Sequence, residues 1–317
     1  MELDVLFLGT AGSTPTARRG LPATLVALGG DRILFDCGEG TQRQLQRSVG
    51  LVDLEQVFIT HFHADHFLGL PGMLKSFALR GREAPLKVHG PPGLTRLFEA
   101  LRPVIGRIPY ELRLIELEPN VRLERAGYAI APFAVEHGVG AYGYALVEEE
   151  RPGRFDESRA IELGVQPGPD YGRLQGGEAV TGSSGEVHPE QVVGEPRRGR
   201  KVVIAGDSAP CAATRVAAHE ADLLIHEATF AAEAAERAGA TGHSTARAAA
   251  QIALEAEVSL LALTHISPRY GGAELRDEAR AVFERTIVPR DFDRVQIPFP
   301  ERGEATHLRA NDYVGVR

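Results

Sequence analysis

Short apolar runs recur along the chain with polar, helix-forming stretches between them: DVLFLG, RILFDCGEG, QVFITH, LKVHG, APFAVEH, KVVIAGD, DLLIHEA and LLALTH. Their β-branched and aromatic content predicts buried strands. Between them, GTQRQLQRSV, GLPGMLKSFALR, LTRLFEALR and STARAAAQIALEAEV predict helices, the last capped by Ser244 or Thr245. The alternation predicts an α/β protein in which layers of sheet are covered by helices.

One stretch breaks the pattern. From about residue 148 to 197 the chain is dense in Gly, Pro and charge and poor in long apolar runs. Only FDESRAIEL reads as a helix there, with Asp156 as its cap. Strand patterns resume at KVVIAGD, so this stretch is expected to be an insertion into a single domain spanning 1–317, not a linker.

At 317 residues with 43% hydrophobic content, the chain has ample material for a core. It shows no run long and apolar enough to span a membrane, and MELDVLFLGT lacks the features of a signal peptide, so a cytoplasmic location is expected. Cys37 and Cys211 form neither a disulfide framework nor a CxxC pair, and read as packing residues. A net charge of −8 argues against nucleic acid. Its distribution changes that picture: eight basic side chains face three acidic ones between residues 75 and 113, and PRRGRK adds a second basic cluster.

The chemistry concentrates in THFHADHFLG, where His61, His63, Asp65 and His66 follow directly on the strand pattern LEQVFI. Alternate residues of an extended turn can aim His61 and His63 at one point while Asp65 and His66 curl towards another. His137, Asp207 and His265 each close an apolar strand pattern, and ligands in α/β proteins gather at such strand ends. Five histidines and two aspartates suffice for two zinc ions that share a bridging carboxylate.

The order of THxHxDH, the isolated His137, the GDS aspartate Asp207 and the final His265 resembles the ligand order of the metallo-β-lactamase superfamily. The resemblance implies an αββα sandwich with a dinuclear site on one edge: His61, His63 and His137 at one ion, Asp65, His66 and His265 at the other, Asp207 bridging. Superfamily membership leaves the substrate open. HEATF at 226–230, GHST at 242–245, HISPRY at 265–270 and the opening GTAGSTPTARRG are similar to the ribonuclease Z family of tRNA 3′-end processing endonucleases, although that family usually carries Asn at the position of Gly20. LGVQPGPDYGRLQGGEAV is similar to the tip of the family's protruding, flexible arm, its tRNA-binding exosite.

By this resemblance Asp65 accepts a proton from the attacking water, and His243, oriented by Glu227, donates one to the leaving oxygen. The alternative for that pair is a buttress to the helix beginning near Ser244. A carboxylate beside an imidazole favours its protonated form. Arg269 could clamp a phosphate or serve only the surface. In the arm, Gly168, Pro169 and Gly172 would let a backbone approach closely, with Arg173 at hand and Tyr171 available for packing or stacking; a hairpin tip would carry the same glycines. His226 would support Glu227 or pack in the core, and Asp36 would hydrogen-bond near the ligands. The expected partner is precursor tRNA, recognised by shape and backbone, with a homodimer implied by the family. A small-molecule phosphodiesterase or other hydrolase of the same fold is the alternative, and a non-catalytic tRNA-binding protein a third.

Overall fold

The computed structural model describes residues 2–51, 54–138, 140–183 and 185–311. In chain order the strands are β1 (Leu3–Gly9), β2 (Ala23–Leu28), β3 (Asp31–Phe35), β4 (Gln56–Phe58), β5 (Leu86–Gly90), β6 (Leu112–Glu116), β7 (Leu123–Arg125), β8 (Tyr128–Ala134) and β9 (Tyr142–Glu148). They continue with β10 (Val180–Gly182), β11 (Gly185–Val187), β12 (Lys201–Ile204), β13 (Leu223–Glu227), β14 (Leu261–Thr264), β15 (Thr286–Ile287), β16 (Arg294–Gln296) and β17 (Thr306–Leu308). One sheet has eight strands in the order β17-β16-β1-β2-β3-β4-β5-β6, and a second has seven in the order β15-β14-β13-β12-β9-β8-β7.

The central strands of both sheets are buried on two faces, as their continuous apolar runs require. In the first, Leu6, Leu8, Leu25, Leu34 and Val57 join a core with Leu45, Leu70, Leu74 and Phe98 of the covering helices. Their neighbours of opposite phase, Val5, Phe7, Val26, Ile33, Phe35 and Phe58, are equally buried and belong to the other face. There Tyr144 of the second sheet packs on Phe35 and Phe58 with ring centroids 5.7 and 5.2 Å away. Burying each such ring contributes roughly 1.5–3 kcal/mol. The Tyr144 hydroxyl also donates to the Ile59 carbonyl at 2.7 Å, fixing the chain two residues before His61.

The predicted helices form over Thr41–Ser48, Gly69–Leu79, Leu94–Ile105 and Ala246–Glu255. Thr245 caps the last by accepting the Ala248 N–H at 3.1 Å. Strands β3 to β6 run parallel, as do β12 to β15, so several carboxyl ends emerge on common edges.

The chain forms two compact units, one of residues 1–125, 130–146 and 200–317, the other of 126–129 and 147–199. The pattern predicts a single helix in the second; the structure has two, Glu157–Glu162 and Pro169–Gln175, and the hairpin β10–β11. Asp156 caps the first, accepting the Arg159 N–H at 2.9 Å. Ala160, Val165, Leu174, Val180, Val187 and Val192 close a small core. These apolar positions are too widely spaced to form a run, so the core is invisible until the chain folds back. Residues 169–175, readable as a hairpin tip, are helical because Pro169 takes the first turn, where its missing N–H costs nothing.

Candidate metal centre

Strand ends deliver the site. Beyond β4 the chain passes through His61 and His63 into the single turn Ala64–Phe67, which carries Asp65 and His66. His137 follows β8, Asp207 follows β12, Glu227 is the last residue of β13, and His265 directly follows β14. All seven predicted ligands meet. Asp207 Oδ2 lies 3.2 Å from His265 Nε2, 3.3 Å from His66 Nε2 and 3.9 Å from both His61 Nε2 and His137 Nε2. Asp65 Oδ2 stands 3.2 Å from His265 Nε2 and 3.6 Å from His66 Nε2, while His63 Nδ1 is 3.1 Å from His137 Nε2. Both predicted triads, His61/His63/His137 and Asp65/His66/His265, have their donor atoms within 4.8 Å of one another, as do His61/His66/Asp207 and two groups that include His243.

A second ring of contacts settles which nitrogen four of the five imidazoles present. His137 Nδ1 donates to the Gly242 carbonyl at 2.8 Å, and His66 Nδ1 donates to Asp36 Oδ2 at 2.7 Å. The Thr60 hydroxyl donates to the Asp36 carboxylate and accepts from His61 Nδ1 at 3.0 Å. Thr229 repeats the device: its hydroxyl donates to Glu227 Oε2 at 2.6 Å and accepts from His265 Nδ1 at 2.7 Å. Four imidazoles therefore turn their Nε2 atoms to a common centre. The buried Nε2 atoms of His61 and His66 have no hydrogen-bond partner. Buried ring nitrogens without a partner beside shared carboxylates, with the other ring nitrogen anchored, fit divalent cations.

Electrostatics agrees. Burial, then the neighbouring imidazoles, push His61 down to about 2 and lower His63, so both are neutral donors. Burial alone would discharge His66, but Asp207 and Asp36 outweigh it and raise its pKa well above the ordinary value. Burial opposes charge on Asp207, yet His265 and His66 hold it well below the carboxylate range. Buried carboxylates so placed demand positive charge.

The backbone is bent to serve this arrangement. Ser13, Asp36 and His265 all have left-handed φ values, 58°, 58° and 56°, a conformation that costs non-glycine residues about 1 kcal/mol each. The bend at Ser13 brings its N–H to Asp65 Oδ2 at 2.9 Å. A side chain at Gly12 would place Cβ 2.5 Å from His265 Nδ1, and one at Gly38 would place it 2.3 Å from the Asp65 carbonyl.

His243 joins the edge from the loop before Ala246–Glu255. Its Nδ1 donates to Glu227 Oε1 at 2.8 Å, and its ring lies 4.7 Å from that of His137 and 5.4 Å from that of His265. Glu227 is further held by the Ser208 N–H at 2.9 Å. Burial disfavours the imidazolium, but the bond and charge of Glu227 prevail and raise the His243 pKa.

Other candidates are exposed or otherwise engaged. Arg269 is exposed on the turn beyond His265. His226 donates from Nδ1 to the Glu227 backbone carbonyl at 2.8 Å and is wholly buried, so it supports backbone and core. In the second unit, Tyr171 packs against Phe155 at 4.6 Å between centroids, which takes its ring out of stacking. Arg173 pairs with Asp170 and Glu178 at 3.2 and 3.0 Å. A Cβ at Gly172 would meet nothing within 4 Å, and one at Gly168 only the Gln166 carbonyl at 3.9 Å, so internal packing accounts for neither glycine. The sequence reading missed Thr60, Thr229, Ser13 and Gly242. Both threonines lie inside quoted motifs, THFHADH and HEATF, but spacing alone does not say which histidine each touches.

The sandwich with this edge defines a metallo-hydrolase class: the metallo-beta-lactamase superfamily matches the chain over residues 19–265. Ribonuclease Z of Methanosarcina mazei is 44% identical over 302 residues, covering 94% of this chain and 99% of the relative. Ribonuclease Z of Gemmatimonas aurantiaca is 47% identical over 307 residues, covering 95% and 98%. The crystal structure of the short form of human tRNase Z superposes with a TM-score of 0.68 at 26% identity, covering 93% of this chain and 99% of that one. The chain belongs to the ribonuclease Z family.

Proposed function

We propose that the edge cluster is a dinuclear zinc centre and that it cleaves the phosphodiester joining a tRNA to its 3′ trailer, leaving a 3′-hydroxyl on the tRNA. As a ribonuclease Z the chain is a hydrolytic endoribonuclease of tRNA 3′ processing. The observation that carries the metal reading is the convergence of four anchored imidazoles on Asp207 Oδ2.

His61, His63 and His137 would hold one ion and Asp65, His66 and His265 the other, with Asp207 shared. When bound, such ions supply Lewis-acid stabilisation of phosphoryl oxygens and an activated water. Asp65, its Oδ2 fixed by Ser13 N–H, takes up a proton. His243 delivers one from Nε2 to the departing 3′ oxygen, because Glu227 occupies its Nδ1. Arg269, exposed beyond His265, is positioned to meet a phosphate.

The second unit, covering the 148–197 insertion, is read as the tRNA exosite, with Gly168, Pro169, Gly172 and Arg173 at its contact surface; open space at Gly172 supports this. Tyr171 contributes there by holding the surface helix to the core. A homodimer and a cytoplasmic location complete the reading; no helix among the described residues is long and apolar enough to cross a membrane.

The test is cleavage of precursor tRNA carrying a 3′ trailer, with and without chelator and with product ends mapped, beside hydrolysis of bis-p-nitrophenyl phosphate. Chelator-sensitive cleavage at the acceptor-stem 3′ end is expected. Turnover of the small diester without precursor cleavage would assign the centre to a small substrate instead. Metal analysis of the purified protein checks zinc, and light scattering checks the dimer.

A further inference from the structure

Beside the centre, in the same unit, lies a cleft of about 1270 Å³. Its walls are continuous with the site. One begins at Ile266, the residue after His265; the other is the 16–20 loop, reached from Ser13, whose N–H binds Asp65. Thr10 and Ile266 tie the walls together through the Ile266 N–H to Thr10 carbonyl bond at 3.0 Å.

Eight arginines line this cleft against three carboxylates. Two of those carboxylates are spent on donors of the walls other than the lining guanidiniums. Asp291 accepts from the Thr10 hydroxyl at 2.7 Å, the Gly20 N–H at 2.6 Å and Gln44 Nε2 at 2.8 Å. Asp293 accepts from the Arg290 and Ala310 N–H groups at 2.9 and 3.0 Å and from His307 Nε2 at 2.9 Å. The lining guanidinium of Arg19 likewise binds the Thr10 hydroxyl and the Pro289 carbonyl at 2.6 and 2.7 Å. Arg18, Arg43 and Arg290 are exposed and make no ion pair with a carboxylate among the described residues. Unneutralised guanidiniums held over a wall of satisfied acids are arranged for an external polyanion.

We infer that this cleft binds the phosphate backbone of the single-stranded RNA on the trailer side of the scissile bond. The inference rests on the proposed function. Hydrolysis in that reading separates a folded, base-paired body from a trailing strand of variable sequence. A surface of arginines reads phosphates without selecting bases, which suits the variable side. Tyr270, half-buried on the lining, offers a sequence-tolerant stacking face.

The test compares kcat/KM for one precursor tRNA with a dinucleotide trailer and the same precursor with a long unstructured trailer. The enzymes are wild type, the Arg43→Glu/Arg290→Glu double variant and the milder Arg43→Gln/Arg290→Gln pair, all checked for an unchanged thermal midpoint. Losing each contact weakens the long-trailer substrate about tenfold, so the long-to-short ratio falls about a hundredfold in the Glu variant. The salt dependence for the long trailer loses a slope of about 0.7 per phosphate contact removed. An unchanged ratio overturns the inference, including the case in which both substrates suffer equally and upstream RNA occupies the cleft. Should wild-type enzyme cleave neither precursor, the proposed function falls on its own. Fluorescence anisotropy with a 5′-phosphorylated single-stranded oligoribonucleotide then decides the cleft. Binding that weakens in the double variant supports it, and binding equal to wild type overturns it.

Discussion

Replacing His243 with alanine removes the proposed proton donor and nothing else that touches the seven converging ligand side chains. Glu227 keeps its remaining donors, the Ser208 N–H at 2.9 Å and the Thr229 hydroxyl at 2.6 Å, so His265 stays anchored through Thr229. The structural disturbance is therefore small and the chemical one large. A positioned general acid contributes about 10²–10⁴-fold, or roughly 3–5 kcal/mol of barrier. The departing group in RNA is a ribose alkoxide, which needs that proton; the p-nitrophenolate of bis-p-nitrophenyl phosphate does not. His243→Ala should lower single-turnover cleavage of precursor tRNA by about 10²–10⁴-fold while changing small-diester hydrolysis far less. The pH profile gives a second readout. Glu227 raises the His243 pKa against the effect of burial, so an acid of this kind loses activity as pH rises through that value. Glu227→Gln removes the raising charge and leaves burial, so the descending limb moves to lower pH. Equal losses on both substrates, with a falling thermal midpoint, would show that His243 only braces the helix Ala246–Glu255 and refute the argument.

Gly12→Ala should displace His265, since the new Cβ would stand 2.5 Å from its Nδ1; metal stoichiometry by elemental analysis should fall with the fold intact by circular dichroism, and full occupancy would contradict the packing argument. Leu174→Ala empties the core of the second unit, where Leu174 is fully buried, at a cost of about 2–5 kcal/mol. Hydrogen exchange should accelerate over residues 155–193 and leave β12 to β14 protected, whereas loss spread through both units would count against separate cores. Asp293 is held below the ordinary carboxylate pKa: burial opposes its charge, but His307 and the Arg290 and Ala310 N–H groups outweigh burial. Its stabilisation is thus present above the unfolded value of about 3.9 and is lost as pH falls through the lowered folded value. In urea titrations the gap between wild type and Asp293→Asn should narrow as pH drops below about 4; a gap constant down to the acid transition would refute the linkage.

Much of this was legible beforehand for a physical reason. Strands β1, β4, β5, β12, β13 and β14 are short, largely buried and built around two or more apolar residues, so their signal is local. Helix caps at Asp156 and Thr245 are equally local, and the structure places both where the pattern predicts. β9 was missed because Gly143 interrupts it; that glycine is required by the Phe133 ring, which a Cβ would approach to 2.3 Å. The helix Gly272–Arg280 buries only Leu275 and Ala279, too sparse a stripe to read. The candidate ligands were legible because they cluster in sequence or end strands. Thr60 and Thr229 have common side chains, and their task depends on carboxylates 24 residues before and two residues before them, respectively. Only the assembled edge shows that one hydroxyl proton fixes the tautomer of a neighbouring imidazole.

The placement of the inserted unit carries a consequence for how such proteins diversify. The chain leaves the framework after β9 and re-enters at β12, and these are adjacent strands of one sheet. Within the insert, Arg151 and Arg197 bridge antiparallel, so its two ends arrive side by side. A segment whose ends are already neighbours can be lengthened at little entropic cost, about 0.6 kcal/mol per doubling for a flexible loop. Exchange of the insert leaves the register of β12 to β15 untouched. If the insert is the exosite proposed above, recognition and chemistry can evolve at independent rates in this architecture, one by replacing a module, the other by conserving an edge.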